Sequence, residues 1–143
     1  MIVVGIDPDS DKHGVAVYDD AKLVSLSLRS SIEIVESWAG TDAKFSIEDV
    51  MANQFVYTRN QKGSKSAQSK VAMHIGRVQQ AQVELMRLLD RYGMPYELHK
   101  PQRGNWAKDK AMFERVTGWT ERSNEDTRSA AFFGFLALKA RAA

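Results

Sequence analysis

The sequence predicts an α/β fold, with a five-stranded mixed sheet that combines an antiparallel three-strand meander with two further strands and is flanked by helices. Three short segments rich in valine, isoleucine and leucine open the chain, and Asp, Ser, Gly and Lys clusters typical of turns separate them. After them, helical and strand patterns alternate, as expected when helices connect strands of one sheet. The 143 residues suffice for a single domain, 1–143, with its own hydrophobic core.

The opening meander is short and compact in sequence. We expect its strands at Ile2–Ile6, Gly14–Tyr18 and Leu23–Leu28. The connection at 19–22, Asp-Asp-Ala-Lys, is short enough for a hairpin, which makes neighbouring strands antiparallel. Ser30 or Ser31 then offers an N-cap for a short helix, and Gly40 ends that helix.

The remaining chain alternates between strands and helices. A fourth strand is predicted at Lys44–Val50, where alternation puts Glu48 near the end and on the face opposite Ile47. The longest helical pattern covers 67–92, and a fifth strand follows at Pro95–Lys100. Two more helices are expected, at Trp106–Val116 after a cap at Asn105, and after Ser123 or Asn124, with a small-residue patch of Ala130, Ala131 and Gly134 suited to packing on a sheet.

The long helix has two sets of apolar residues. One set steps by three, four or seven and forms a stripe for the core: Val71, Ile75, Val78, Leu85, Leu89 and Tyr92. A second set lies outside the stripe and gives the helix a surface for a second copy of the chain: Ala72, Met73, Ala81, Met86 and Leu88.

Charge is unevenly distributed along the chain. Residues 1–50 carry ten acids and four bases, whereas residues 51–143 carry eight acids and sixteen bases. No acid occurs from Met51 to Val83, where the bases are Arg59, Lys62, Lys65, Lys70 and Arg77. Such a run is either a solvated face or a surface for a polyanion such as nucleic acid, and composition alone leaves both open.

Cysteine is absent, which excludes a disulfide framework and a thiolate zinc site and agrees with a reducing compartment. The N-terminus lacks the pattern of a signal peptide, and no stretch approaches the roughly 20 apolar residues of a membrane span. We therefore expect a cytoplasmic protein that does not act at a membrane.

Three carboxylates stand where this order of elements can bring them together: Asp7 after the first strand, Glu48 near the end of the fourth, and Asp126 in the first turn of the last helix. Converging carboxylates repel one another, and the usual compensation is a divalent cation with oxygen ligands, Mg²⁺ or Mn²⁺ rather than zinc. Purely structural explanations also exist. Asp7 can begin a turn with Pro8, and Glu48 can pair with a base. Asp126 and Glu125 also suit the first turn of a helix, where acids complement its dipole.

Three short motifs resemble the signatures of RuvC-type Holliday junction resolvases, especially the compact forms of bacteriophages. They are Gly5-Ile6-Asp7-Pro8-Asp9-Ser10 with Gly14 downstream, Ser46-Ile47-Glu48-Asp49-Val50, and Glu125-Asp126-Thr127-Arg128-Ser129-Ala130-Ala131. The order of elements is similar over nearly the whole chain, but the specific motifs cover only these pieces, of which the first is the most distinctive. The resemblance implies a ribonuclease H-like fold, a homodimer, a bacterial or bacteriophage origin, and Mg²⁺-dependent cutting of four-way DNA junctions.

The resemblance also implies roles for the acids. The metal ligands would be Asp7, which contacts both of two ions, Glu48 and Asp126, with Glu125 as a further catalytic acid. Two such ions stand roughly 4 Å apart and serve the attacking water and the leaving oxygen. The family commonly carries another acid just before the alanine-rich part of the last helix, where this chain has Ser129 and Ala130. Either the acids present suffice, or water replaces the missing ligand, or activity is weakened.

The basic stretch would then contact DNA. A loop that leads away from Glu48 can carry bases along the phosphate backbone, and its aromatic rings can stack on unpaired bases or, alternatively, pack in the core. A second basic cluster surrounds the turn before Trp106. The candidate DNA-contacting residues are Phe55, Tyr57, Arg59, Lys62, Lys65, Lys70, Lys100, Arg103 and Lys108.

Other functions remain open at this stage. The missing acid favours a non-catalytic DNA-binding or regulatory protein on the same fold. A ribonuclease H or a flap or debranching nuclease would share the acids. The hairpin after Asp7 also resembles a phosphate-binding hairpin of actin-like proteins and sugar kinases, but the chain is too short for the two domains these proteins have.

Overall fold

The part of the chain that the structure describes forms one sheet of five strands. A computed structural model describes residues 1–52 and 64–142. The strands are β1 (Ile2–Asp7), β2 (His13–Asp19), β3 (Lys22–Arg29), β4 (Lys44–Glu48) and β5 (Tyr96–His99). Their order across the sheet is β3-β2-β1-β4-β5. The first three form an antiparallel meander, and β4 and β5 run parallel to β1. The mixed sheet predicted from the sequence is confirmed.

Four helices flank the sheet within the described residues. They are α1 (Ser31–Trp38), α2 (Lys65–Arg91), α3 (Lys110–Thr117) and α4 (Glu125–Ala142), with a short 3₁₀ helix at Val50–Ala52. Ser30 caps α1 as predicted, because its hydroxyl accepts the Glu33 N–H while the Glu33 carboxylate accepts the Ser30 N–H. Asn124 closes the start of α4 in the same reciprocal way with Thr127.

The sheet separates two apolar clusters, one on each face. On the first face, strand residues pack against α1 and α2, and the cluster contains Val4, Ile6, Val15, Val17, Phe45, Ile47, Ile34, Val35, Leu85 and Leu89. On the second face, strand residues pack against α3, α4 and the loop before α3, and the cluster contains Val3, Ala16, Tyr18, Leu23, Trp106, Phe113, Ala130, Ala131 and Ala137. Alternate residues of β1 therefore serve opposite cores, as a strand covered on both faces requires.

The predicted start of the third helix is wrong. α3 begins at Lys110, and its N-cap is Asp109, whose side chain accepts the Met112 N–H at 3.0 Å. Asn105 instead accepts the Ala107 N–H, which forms a local turn. Trp106 has φ 66° and is buried, so it belongs to the core without belonging to the helix.

The sequence predicts that the stripe of α2 packs on the core, and only its C-terminal part does so. Leu85 and Leu89 are fully buried, whereas Val71 is 41% exposed and Tyr92 is 55% exposed. A 27-residue helix is about 40 Å long, about twice the length of a six-residue strand, so the sheet cannot cover all of it. β4 is also shorter than predicted, because Val50 starts the 3₁₀ helix.

Across the two described ranges, no helix combines the length and the apolar character needed to cross a membrane.

Candidate active site

Two carboxylates lie side by side at one edge of the sheet. β1 and β4 are adjacent parallel strands with Ile6 opposite Ile47, so their carboxyl ends place Asp7 and Glu48 next to each other. Both acids lie on the α4 face, because alternation puts them on the same side as Gly5 and Ser46, which contact α4. The two carboxyl groups share a hydrogen bond.

The close approach of α4 to the sheet brings a third acid to this edge. A side chain on Gly5 would lie 2.7 Å from the Gly134 nitrogen and would overlap the Ala130 carbonyl oxygen. A side chain on Gly14 would overlap the backbone of Asp126 in the first turn of α4. Glycine is therefore required at both strand positions for α4 to lie this close, and that approach places Asp126 near Asp7.

Two hydroxyl groups fix α4 in this position. The Tyr18 hydroxyl on β2 donates to the Ala131 carbonyl oxygen at 2.6 Å, and the Ser46 hydroxyl on β4 donates to the Phe133 carbonyl oxygen at 2.6 Å. Both bonds are buried, where breaking one would leave an unsatisfied polar group. Together with the contact at Gly5, they tie α4 to three strands.

The acids are held where their charged forms are unfavourable. Burial, followed by the charges of Glu48 and Asp126, raises the pKa of Asp7 to about 8. Burial also raises the pKa of Glu48. The pKa of Asp126 is raised by burial and then by the charges of Asp9 and Glu125. With its pKa raised to about 8, the Asp7 carboxyl group is largely protonated at neutral pH when no cation is bound.

A divalent cation in place of that proton would relieve the repulsion. The donors fit a hard ion such as Mg²⁺ or Mn²⁺, because they are all carboxylate oxygens. Within residues 1–52 and 64–142, no group of three or more His, Asp or Glu side chains is arranged to hold a metal ion. Asp7 and Glu48 are in contact, and Asp126 acts on both through its charge.

His13 holds the loop that follows Asp7. Its Nδ1 accepts the Asp9 N–H at 3.1 Å, so the ring proton lies on Nε2 and is donated to the Ser31 hydroxyl at 2.8 Å. Burial lowers the pKa of His13 to about 4, which keeps the ring neutral in this role. The loop therefore places Asp9 close enough to Asp126 for their charges to interact.

A buried amide on α2 holds the segment after Glu48. Gln82 is 1% exposed, and its side chain accepts the Val50 N–H at 2.7 Å and donates to the Asp49 carboxylate at 2.9 Å. The Asp49 N–H donates to the His99 carbonyl oxygen at 2.7 Å, and His99 lies opposite Glu48 in the β4–β5 pairing. The end of β4 is thus fixed from both α2 and β5.

Three of the predicted DNA-contacting residues lie in the loop between β5 and α3. Lys100, Arg103 and Lys108 are not buried and form no ion pair with any residue in the described part of the chain. This loop leaves the carboxyl end of β5, at the same edge of the sheet as Asp7. Arg128 of α4 anchors the loop by donating twice to the Ala107 carbonyl oxygen, at 2.7 and 3.1 Å.

The other predicted DNA-contacting residues belong to the segment before α2 and to its first turns. Lys65 and Lys70 are exposed near the start of α2, and no ion pair involves them within the ranges described. Four further candidates lie outside the described residues: Phe55, Tyr57, Arg59 and Lys62. Glu125 is exposed in the first turn of α4, where its charge helps to raise the pKa of Asp126.

Sequence reasoning missed several residues around the acids. Gln82 had a usable signal, since it is a polar residue between Val78 and Leu85 in an otherwise apolar stripe. For Asp9 and His13, the only signal in the sequence was that they lie near Asp7. This proximity does not distinguish them from ordinary turn residues.

Solved structures match this fold, although no protein-family model and no curated protein matches the sequence. Thermus thermophilus RuvC in complex with a Holliday junction substrate matches with a TM-score of 0.62 and 17% identity, over 99% of this chain and 96% of that chain. A second structure of Thermus thermophilus RuvC matches with a TM-score of 0.58 at the same identity and coverage. The chain therefore has a ribonuclease H-like fold. Within that fold class, it is similar to these two RuvC structures.

Proposed function

We propose that this protein is a metal-dependent endonuclease that cuts branched DNA, and four-way junctions in particular. The observation that carries the proposal is the convergence of Asp7, Glu48 and Asp126 at one edge of a RuvC-like fold. Partly buried carboxylates with raised pKa values form a site that is stable only with a proton or a cation to offset their charge. A structural role alone does not require acids at this place.

Asp7, Glu48 and Asp126 would hold Mg²⁺ or Mn²⁺, with two ions in one site as the expected number. When bound, such ions polarise the phosphodiester and lower the pKa of an attacking water. The protein positions the acids: adjacent strand ends fix Asp7 and Glu48, and α4 fixes Asp126. The expected products carry a 5′ phosphate and a 3′ hydroxyl.

The loop between β5 and α3 supports DNA binding beside this site. Its bases Lys100, Arg103 and Lys108 can contact phosphates of a strand that reaches Asp7, because loop and acid lie at the same edge of the sheet. Each replacement of one of these bases by Gln should reduce the slope of the salt dependence of binding by about one unit, if the base binds one phosphate. Lys22→Gln, in the hairpin at the opposite edge, should leave the slope unchanged.

The exposed half of α2 supports a homodimer. Val71 and Met73 are 41% and 58% exposed on a helix that residues 1–52 and 92–142 cover only near its C-terminal end. A two-fold dimer would present two sites to the two equivalent strands of a junction. Met73→Glu should therefore convert a dimer into a monomer in sedimentation experiments, whereas Met51→Glu, on the 3₁₀ helix, should not.

Cleavage assays with three labelled substrates test the proposed activity. The substrates are a four-way junction, a linear duplex of the same sequence and an RNA–DNA hybrid, each with Mg²⁺ or with a chelator. We expect paired, symmetric nicks in the junction alone and only with Mg²⁺. Glu48→Gln should bind the junction without cutting it, whereas Glu36→Gln, an exposed acid on α1, should cut normally. Cutting by Glu48→Gln at the parent rate would show that these acids do not catalyse the reaction.

A second candidate is a junction-binding protein without nuclease activity. It is favoured by Ser129 in place of a further acid, and by the absence of a three-acid metal cluster among the described residues. Junction binding by the parent protein with no nicks under Mg²⁺ or Mn²⁺ would support this candidate.

A further inference from the structure

Ser129 is a buried hydroxyl at the carboxylate site without a hydrogen-bond partner. The residue is 2% exposed, and no described residue completes a hydrogen bond of normal geometry with its Oγ. Two other buried serines on the same chain are satisfied: Ser31 Oγ lies 2.8 Å from His13 Nε2, and Ser46 donates to a helix carbonyl oxygen at 2.6 Å. An unsatisfied buried polar group is destabilising, so a packing role alone does not account for Ser129.

The position of Ser129 relates it to Asp7. Ser129 follows Asp126 by three residues, so both lie on the same side of α4, which faces the acids. Its hydroxyl lowers the pKa of Asp7, against the effects of burial and the neighbouring acids, so it favours the charged carboxylate. The next residue, Ala130, lies directly against Gly5, so this part of α4 is close to β1.

Asp7 is the group on which the Ser129 hydroxyl acts, and no described residue gives this buried donor a hydrogen bond of normal geometry. A carboxylate can accept several hydrogen bonds, so Asp7 can accept one from Ser129 and still offer oxygen lone pairs to a cation.

We propose that Ser129 is a positioning residue for the cation site: its hydroxyl donates a hydrogen bond to the Asp7 carboxylate and restricts the movement of this carboxylate, which would bind a divalent cation together with Glu48. This inference rests on the proposed function, which places the cation on those acids. Carboxylate ligands in metal sites are themselves commonly hydrogen-bonded, and removal of such a partner weakens metal binding about 10- to 100-fold. A hydroxyl supplies this bond without adding another negative charge to the cluster.

Calorimetric titration with Mn²⁺ in the absence of DNA tests the inference independently of cleavage. Ser129→Ala should weaken Mn²⁺ binding by about 10-fold or more, because it removes only the hydroxyl. Ser129→Thr, which keeps a hydroxyl, should restore most of the affinity. Ser46→Ala is the matched control: it also removes a buried hydroxyl at the α4 contact, but one that bonds to Phe133 and not to Asp7. It should lower the melting temperature and leave Mn²⁺ affinity nearly unchanged.

The outcomes separate this inference from the proposed function. Equal Mn²⁺ affinity in Ser129→Ala and the parent would overturn the role of Ser129 and leave the metal site intact. An equal reduction of affinity in Ser46→Ala would also overturn it, since the effect would then come from the packing of α4. If the parent protein bound no Mn²⁺, the metal site itself would be wrong, and the role of Ser129 with it.

Discussion

The two longest helices lie on opposite faces of the sheet and pack on it differently. α4 has 18 residues and is tied to β1, β2 and β4 by the close approach at Gly5 and by the hydroxyls of Tyr18 and Ser46. α2 has 27 residues, and only Gln82, Leu85 and Leu89 are buried. One helix is fixed by backbone contacts, and the other is held mainly through its C-terminal part.

The difference in packing suits the two helices to different roles: α4 positions residues of the site, and α2 keeps an exposed apolar surface. Asp126 and Ser129 on α4 must stand at fixed distances from Asp7, and direct contacts between backbones allow less variation than long side chains do. The N-terminal half of α2 has no such constraint from the described residues, and its exposed apolar residues remain available to a partner. The only polar link from α2 to the site that the described residues show is Gln82, close to the buried end of the helix.

A pair of glycine substitutions should give the largest contrast between the helices. Gly5→Val should unfold the protein or destabilise it by more than about 4 kcal/mol, because its side chain would overlap the Ala130 carbonyl oxygen and the Gly134 nitrogen. Gly76→Ala lies on α2, where the added carbon meets no described residue within 4 Å beyond the backbone of its own helix; it should stabilise the protein by about 0.5–1 kcal/mol. Thermal denaturation followed by circular dichroism measures both. A mild effect of Gly5→Val would mean that α4 can move away from the sheet.

Substitutions of two apolar residues test whether the C-terminal part of α2 is packed on the core while its N-terminal half is not. Leu85→Ala should cost about 3 kcal/mol, since it opens a cavity under a fully buried side chain. Val71→Ala, at a position 41% exposed, should change the free energy of unfolding by less than about 0.5 kcal/mol. Urea denaturation at low protein concentration measures these values for the single chain. A large cost for Val71→Ala that grows with protein concentration would instead locate the dimer contact there.

The same contrast explains which parts of the fold are predictable from the sequence. The patch of Ala130, Ala131 and Gly134 predicts close packing of α4, because small residues at helical spacing have few other uses. The stripe of α2 predicts burial along the helix, but periodicity does not say how far the sheet extends. The prediction of a helix at Trp106 is wrong because its left-handed backbone results from packing against distant aromatic rings, which leave no local pattern.

The site is partly predictable for a related reason. Asp7 and Glu48 can be identified because strand ends can be located in a sequence and parallel strands end at one edge. Gln82 and His99 act near the site through strand register and helix rotation, which the sequence does not give. The significance of Ser129 depends on its burial and on its unpaired hydroxyl, and both are properties of the folded chain.

Asp7→Asn should change how stability depends on pH. The pKa of Asp7 rises from the ordinary value of 3.8 to about 8, so between these values the folded chain binds more protons than the unfolded chain. Stability of the metal-free parent should therefore fall as pH rises through this range. Asn removes that dependence, and at about pH 8.5 the metal-free variant should be more stable than the metal-free parent.

Urea denaturation in the presence of a chelator, repeated across the pH range, measures this difference. Asp42→Asn, at an exposed position before β4, is the control and should follow the parent at every pH. Parallel curves for Asp7→Asn and the parent would show that α4 and the strand ends do not hold the acids as closely as described. Added Mn²⁺ should reverse the order at high pH, because it stabilises only the parent.

Tyrosine hydroxyls give the smallest and most local test of how the two helices are held. Tyr18→Phe removes the donor to the Ala131 carbonyl oxygen and should cost about 1 kcal/mol, because the buried acceptor is left without this partner. Tyr92→Phe, at the C-cap of α2 and 55% exposed, should cost less than about 0.5 kcal/mol. If Tyr18→Phe lowered the free energy of Mn²⁺ binding by more than the free energy of unfolding, this hydrogen bond would set the position of Asp126. A hydroxyl that contributes only to packing would not affect the binding of a distant cation. Equal and small effects for both tyrosines would leave the contact at Gly5 as the main constraint on α4.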